Sequence, residues 1–247
     1  MALAKAGGRI ADRLAWVFAS GYQAAVRCCF PEFTPLPGSW TCFATAEPRA
    51  LPGCALEETA DGYRLEGNKS WVAGASVVER MVVTIGDGES RRFVDVPRNA
   101  QGVEIVLPRK PEFLTELTQG TVHFSHVAVA SESVVSGFAR TQRFRGAEPL
   151  FVLSALTACL AAHAKCVNPQ HPLLETADVV EARASELVDV LDHKEEIVPG
   201  LKALRADVRA LLDGADSLIA KAPVLADSWS RDQRLLQMFG ISPQPRQ

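Results

Sequence analysis

The chain has 247 residues, 47% hydrophobic and 22% charged, which is enough length for two domains and enough apolar surface for a sizeable core. A formal charge of -3 and a pI near 6.0 supply no long-range attraction for nucleic acid or an anionic membrane, and no basic tail or patch stands out. Six cysteines at 28, 29, 42, 54, 159 and 166 form no CxxC pair and no regular framework, which is the pattern of reduced thiols and argues against a disulfide scaffold.

Residues 2 to 30 are rich in Ala and space Ile10, Leu14, Val17 and Phe18 three or four apart, which predicts one amphipathic helix. Asp12 and Arg13 interrupt its apolar stretch, so a signal peptide or spanning helix is not expected there and the chain is expected in the cytoplasm. Gly7-Gly8 reads as helix-interrupting or frayed sequence. Pro31, Pro35, Pro37 and Gly38 then stop the helix.

From Trp40 to Val129 short strand candidates alternate with turns. The clearest is Tyr63 to Val72, which follows the Asp61-Gly62 turn and contains Gly67-Asn68 as a second turn or bulge signal. Met81 to Ile85, Phe93 to Val96 and Val103 to Leu107 come next. In Thr121 to Val129, the residues Val122, Phe124, Val127 and Val129 alternate only partly, and a slip near Ser125 fits a bulge. Many short strands spaced by turns favour a small barrel or sandwich over a parallel sheet. Strand parity sends His123 and His126 to opposite faces, so they are not expected to form a metal pair.

After Gly137 the periodicity is helical, with helices expected at about 147–166, 173–192, 195–221 and 224–238. Pro172 and Pro223 sit where first turns begin, and Pro199 fits only within the first turn of its helix. Val198, Leu201, Leu204, Val208, Leu211 and Leu212 line one face of the third helix, and a four-helix bundle buries such stripes economically. Lys202, Arg205 and Arg209 share another face with interleaved acids and read as a solvated surface. Cys159, His163 and Cys166 lie at i, i+4 and i+7, but three ligands on one straight helix point along a ridge instead of converging. With Leu156, Leu160 and Ala162 around them they read as core, and no metal site is expected. The chain contains no Walker-type loop, no GxGxxG and no GxSxG phrase.

Phe43 to Gly74, FATAEPRALPGCALEETADGYRLEGNKSWVAG, combines an Ala-Glu-Pro step with the phrase DGYRLEGNKSWV. It resembles the flavin-facing strand and hairpin of the acyl-CoA dehydrogenase family, where a Thr/Ala-Glu-Pro segment and a Lys-x-Trp-Ile-Thr/Ser segment flank the isoalloxazine ring. Thr121 to Gly137, TVHFSHVAVASESVVSG, is similar to the family's closing strand and its exit, with Ala130 where proline is usual. Trp229 to Gly240, WSRDQRLLQMFG, is similar to its final helix, the Arg-Asp pair being Arg231-Asp232.

The resemblance implies an α+β multidomain, acyl-CoA dehydrogenase-like fold. A remnant N-terminal helical segment (1–36) would precede a small β-barrel or sandwich domain (37–140) and a C-terminal helical bundle (141–247). It implies FAD as cofactor, with Thr45, Ala46, Trp71, Val72 and Ala73 at the flavin. An acyl-CoA or other acyl thioester is the implied substrate, and a homo-oligomer, in the simplest case a homodimer, the implied assembly. Ala46 and Ala73 stand where the family carries side-chain hydroxyls, so main-chain amides would have to serve. The Arg-x-x-Phe-Gly…Gln phrase and the Gly-Gly-x-Gly turn that hold FAD in the family have no counterpart between 160 and 230.

The eighth residue beyond Asp232, where many of these enzymes carry the catalytic glutamate, is Gly240, which cannot remove a proton. A minority of the family places the base in a Glu-x-Leu phrase on the first helix after the β domain, and Glu148-Pro149-Leu150 corresponds to it. Glu148 is therefore the candidate base, against the plainer reading of an acidic residue capping a helix start ahead of Pro149. Two functions follow: oxidation of an acyl thioester at its alpha and beta carbons, or a non-catalytic homologue that binds or assembles with a full-length dehydrogenase partner.

Overall fold

The computed structural model describes residues 1–34, 38–109 and 113–241. Pro35, Pro37 and the expected boundary at 36–37 lie outside the described residues. The chain divides into a helical unit, Met1–Cys28 with Gln142–Gln247, and a β unit, Cys29–Thr141.

Among the described residues two four-stranded sheets build the β unit. One has the order β1 (Thr41–Ala44), β4 (Arg80–Ile85), β5 (Arg92–Pro97), β8 (Val134–Ser136). The other runs β2 (Ala55–Thr59), β3 (Gly62–Ala73), β7 (Gln119–Val129), β6 (Val103–Val106). The sandwich-type architecture is as the turn spacing predicted, except that β1 and β4 pair in parallel, Phe43 opposite Val82. TCFA and MVVTI carry no alternation because they are covered on both faces, and MVVTI is the strand expected at Met81 to Ile85. Phe30 packs on Phe43 and Phe93 at ring separations of 4.8 and 5.3 Å.

Two bulges govern which side chains face where on the β3–β7 ladder. Leu65 pairs with Val127 and Gly67 with Phe124, so Ser125 and His126 together face the single residue Glu66, and His126 takes φ 54. Farther along, Lys69 pairs with Val122 and Val72 with Gly120, so Ser70 and Trp71 together face Thr121. The slip expected near Ser125 is the first of these, and nothing in the local sequence marked the second. The first reverses parity along β7 and corrects one expectation. His123 and His126 do not point to opposite faces: both are exposed and line one cleft of about 550 Å³ with Leu51, Gly67, Asn68 and Phe124.

In the helical unit the expected single helix over 2–30 is two, α1 (Ala2–Ile10) and α2 (Leu14–Cys29), broken at Ala11–Arg13. Gly7 and Gly8 lie inside α1, correcting the frayed reading. A Cβ on Gly8 would fall 2.2 Å from the Ala155 carbonyl oxygen, and one on Gly21 would fall 2.4 Å from Val152 Cα. The glycines therefore let both helices approach the backbone of α3 (Ala139–Val167). α3 is long and apolar enough to cross a membrane by length and composition, yet 67% of its most apolar window is buried inside the protein, as in a core helix.

α4 (Leu173–Asp189) and α5 (Lys194–Asp213) pack together next in the chain, and the short α6 (Asp216–Ala220), α7 (Pro223–Asp232) and α8 (Arg234–Met238) complete the unit. Two of the helices expected from sequence are thus split, at Gly214–Ala215 and at Gln233. Pro199 lies in the second turn of α5, not the first, and the buried stripe runs through Ile197, Leu201, Leu204, Val208 and Leu211, with Val198 exposed.

Candidate functional site

The segment after β1 carries the Ala-Glu-Pro step. Thr45, Ala46 and Glu47 lie beyond the last residue of the strand and are exposed, so strand parity does not govern Thr45. Three consecutive residues of β3 hold this segment. The Ser70 amide and hydroxyl donate to the Ala46 carbonyl at 2.9 and 3.2 Å, and Asn68 Nδ2 donates to the Pro52 carbonyl at 3.0 Å. Between them Lys69, 0% exposed, places its ammonium on Glu47 Oε1 and 3.3 Å from Thr84 Oγ1.

Trp71 stands in the second bulge, half-buried, with its indole N–H donating to Gln119 Oε1 at 2.9 Å. Gln119 donates in turn to the Phe113 carbonyl at 2.8 Å, which fixes the ring from behind. Val72 and Ala73 are fully buried. The Ala73 amide donates to Cys42 Sγ at 3.3 Å and its carbonyl accepts Trp40 Nε1 at 2.8 Å, so both polar groups of that residue are engaged. Thr45, Ala46 and Trp71 thus offer accessible surface to a flavin, whereas Val72 and Ala73 offer none. The residues present fit the ring system in part.

Glu148 does not cap a helix. It lies in the interior of α3, which begins at Ala139, and Pro149 follows it there as an interior proline. Pro149 removes the amide that would reach the Arg145 carbonyl. Phe144, Ala147, Leu150 and Phe151 around it are buried. Removal from water pushes the Glu148 carboxyl up to about 7, and no neighbouring charge contributes. A half-buried carboxyl poised near neutrality, with no hydrogen-bond or ion-pair partner among the described residues, is a candidate proton acceptor.

Gly240 follows α8 with φ 77, at a left-handed position that suits glycine. Two of the arginines expected on a solvated face are structural here: Arg205 Nε donates to the Phe239 carbonyl at 2.7 Å and Arg209 to the Gly240 carbonyl at 3.4 Å. Asp232, 0% exposed, accepts from Arg231 at 2.8 Å. Cys159 is buried and donates to the Ala11 carbonyl at 3.3 Å, and burial pushes its thiol up to about 12. His163 Nδ1 lies 3.0 Å from the Cys159 carbonyl, while Cys166 is exposed. Among the described residues no group of three His, Cys, Asp or Glu side chains is arranged to hold a metal ion.

No protein-family model matches the chain, and no curated protein does. Solved structures do. One is FkbI for biosynthesis of the methoxymalonyl extender unit of Fk520, at 13% identity and TM-score 0.65, covering 95% of this chain and 78% of that one. FMN-bound TdsC from Paenibacillus sp. A11-2 matches at 14% identity and TM-score 0.64, over 92% and 80% of the two chains. A glutaryl-CoA dehydrogenase from Mycobacterium smegmatis in complex with FADH2 matches at 11% identity and TM-score 0.54, over 81% of this chain and 62% of that one. The chain therefore has the acyl-CoA dehydrogenase-like fold, shared with related flavin-dependent enzymes.

Proposed function

We propose that the chain is a flavin-dependent oxidoreductase acting on an acyl-CoA or other acyl thioester, with Glu148 as the base that removes the alpha proton. The carrying observation is the place of Glu148, half-buried in the interior of α3 with no ion-pair partner among the described residues, where removal from water pushes its carboxyl up to about 7. A carboxylate of ordinary acidity in water is a weak base, and desolvation brings its proton affinity toward that of the group it must deprotonate. A flavin, FAD by resemblance, supplies the acceptor for the beta hydride. On this reading the Thr45 hydroxyl and the Thr45 and Ala46 amides would hold its polar edge, the Ala46 carbonyl being engaged by Ser70. Trp71, locked by Gln119, gives the ring an apolar wall. The assembly is a homo-oligomer and the compartment the cytoplasm.

The purified protein tests this directly. A yellow protein, or one that takes up added FAD or FMN with the absorbance change of bound flavin, and that oxidises an acyl-CoA, supports the reading. Glu148→Gln should then abolish turnover while flavin binding persists. Colourless protein that ignores both flavins, or a Glu148→Gln variant at full rate, overturns it.

A second reading is favoured by the fully engaged Ala73 and by Gly240 at the usual position of the base. It is a non-catalytic homologue that binds or assembles with a full-length dehydrogenase. Stoichiometric co-purification with such a partner, together with no flavin uptake by the isolated chain, would favour it.

A further inference from the structure

Lys69 is 0% exposed, although lysine is among the residues least often found fully buried. Its ammonium meets Glu47, whose side chain is 48% exposed, and Thr84 Oγ1, which in turn donates to the Ala44 carbonyl at 3.5 Å. The charge therefore sits inside the β unit just beneath the point where β1 ends and the Ala-Glu-Pro segment begins. Stability alone does not explain it, because burying an ammonium against a carboxylate that stays half exposed carries a desolvation cost that an apolar side chain of similar length would not. A fixed geometry does. On the outer side Ser70 and Asn68 hold Ala46 and Pro52 by hydrogen bonds, and the Cys54 thiol donates to the Asn68 carbonyl at 3.5 Å. His123 Nδ1 lies 3.0 Å from Asn68 Oδ1, which orients that amide. Gly53 lies against Glu47 so closely that a Cβ there would fall 2.4 Å from Glu47 Oε2. The segment 45–54 is thus gripped at its beginning and its end, from inside by one charge and from outside by two neutral side chains.

We propose that Lys69 is a positioning residue: its ion pair with Glu47 sets the conformation of Thr45–Glu47, the segment from which the flavin contact is made. The proposal rests on the flavin reading above for its ligand, but not for the mechanical role of Lys69. Lys69→Met keeps the aliphatic stem and removes the charge, and Glu47→Gln keeps an acceptor for the ammonium while removing the carboxylate charge.

Two measurements on the full chain decide the matter. Amide hydrogen exchange should quicken at least tenfold across 45–54 in Lys69→Met, less in Glu47→Gln, and stay unchanged across β4 and β5. Titration with FAD and with FMN should show affinity falling at least tenfold in Lys69→Met and about threefold in Glu47→Gln. Unchanged protection of 45–54, or an equal loosening of the entire β unit, would overturn the positioning role, since either outcome makes Lys69 an ordinary core residue. Failure of the unsubstituted chain to bind either flavin would sink the flavin reading while the exchange result still decided the role of Lys69. Full flavin affinity in Lys69→Met, with 45–54 loosened, would overturn the link between that segment and the cofactor.

Discussion

The sulfur of Cys42 accepts the amide hydrogen of Ala73 at 3.3 Å, joining β1 of one sheet to the last residue of β3 in the other. Cys42 is 0% exposed, so this thiol is a packing group and a weak acceptor at once. Cys42→Ala removes the sulfur, opens a small cavity and strands a buried amide, for a cost of about 2 kcal/mol. The urea midpoint of the β unit measures it. Cys42→Ser, which restores an acceptor of similar size, should lose less.

The pH dependence of stability should carry the mark of Glu148. Its carboxyl titrates near 7 in the folded chain and near 4.5 when unfolded, so the folded state holds the proton more tightly. The contribution is therefore fully present below about pH 4.5 and is lost as pH rises through 7. Integrated over that interval the loss is about 3 kcal/mol. Glu148→Gln, which never ionises, should match the unsubstituted chain at pH 4 and exceed it at pH 8 by up to that amount. Denaturant titrations at the two pH values check the sign as well as the size.

Gly21→Ala tests the close approach of α2 to α3. Helix propensity favours alanine by about 1 kcal/mol, but the new methyl would lie 2.4 Å from Val152 Cα, a backbone atom that cannot turn aside. Net destabilisation of 2 kcal/mol or more is expected, read as a lowered thermal midpoint of the helical unit. An unchanged or raised midpoint would show that α2 and α3 are not in contact there.

Thiol reactivity should separate the cysteines. Burial pushes Cys54 and Cys159 up to about 12, leaving almost no thiolate at pH 8, whereas Cys166 is exposed. A disulfide reagent at pH 8 should label Cys166 within seconds, and Cys54 and Cys159 only when the chain unfolds. Mass spectrometry of labelled peptides gives the order.

Much of the architecture was legible because its signals are local. The Asp61-Gly62 turn announced β3, and the broken alternation around Ser125 announced the first bulge. What escaped was set by tertiary contact. α3 begins at Ala139, eight residues before its predicted start, because ARTQRFRG carries no apolar stripe and Pro149 looks like a first-turn proline. The same error made Glu148 resemble a cap. Lys69 carries no signal beyond its place in the Lys-x-Trp phrase, since no sequence pattern distinguishes a lysine facing inward to Glu47 from one facing water. The arginines at 205 and 209 looked solvated because their carbonyl acceptors lie more than thirty residues away, at Phe239 and Gly240.

The doubled residues Ser125 and His126 opposite Glu66 let β7 carry one extra residue without changing which side chains face inward beyond it. Deleting either would leave one residue opposite Glu66 and restore regular alternation, with Phe124, Val127 and Val129 still inward and Ala128 still outward. A one-residue deletion there should therefore be tolerated better than one between Thr121 and Phe124, where no doubled residue absorbs the change and the inward residues before it would turn outward.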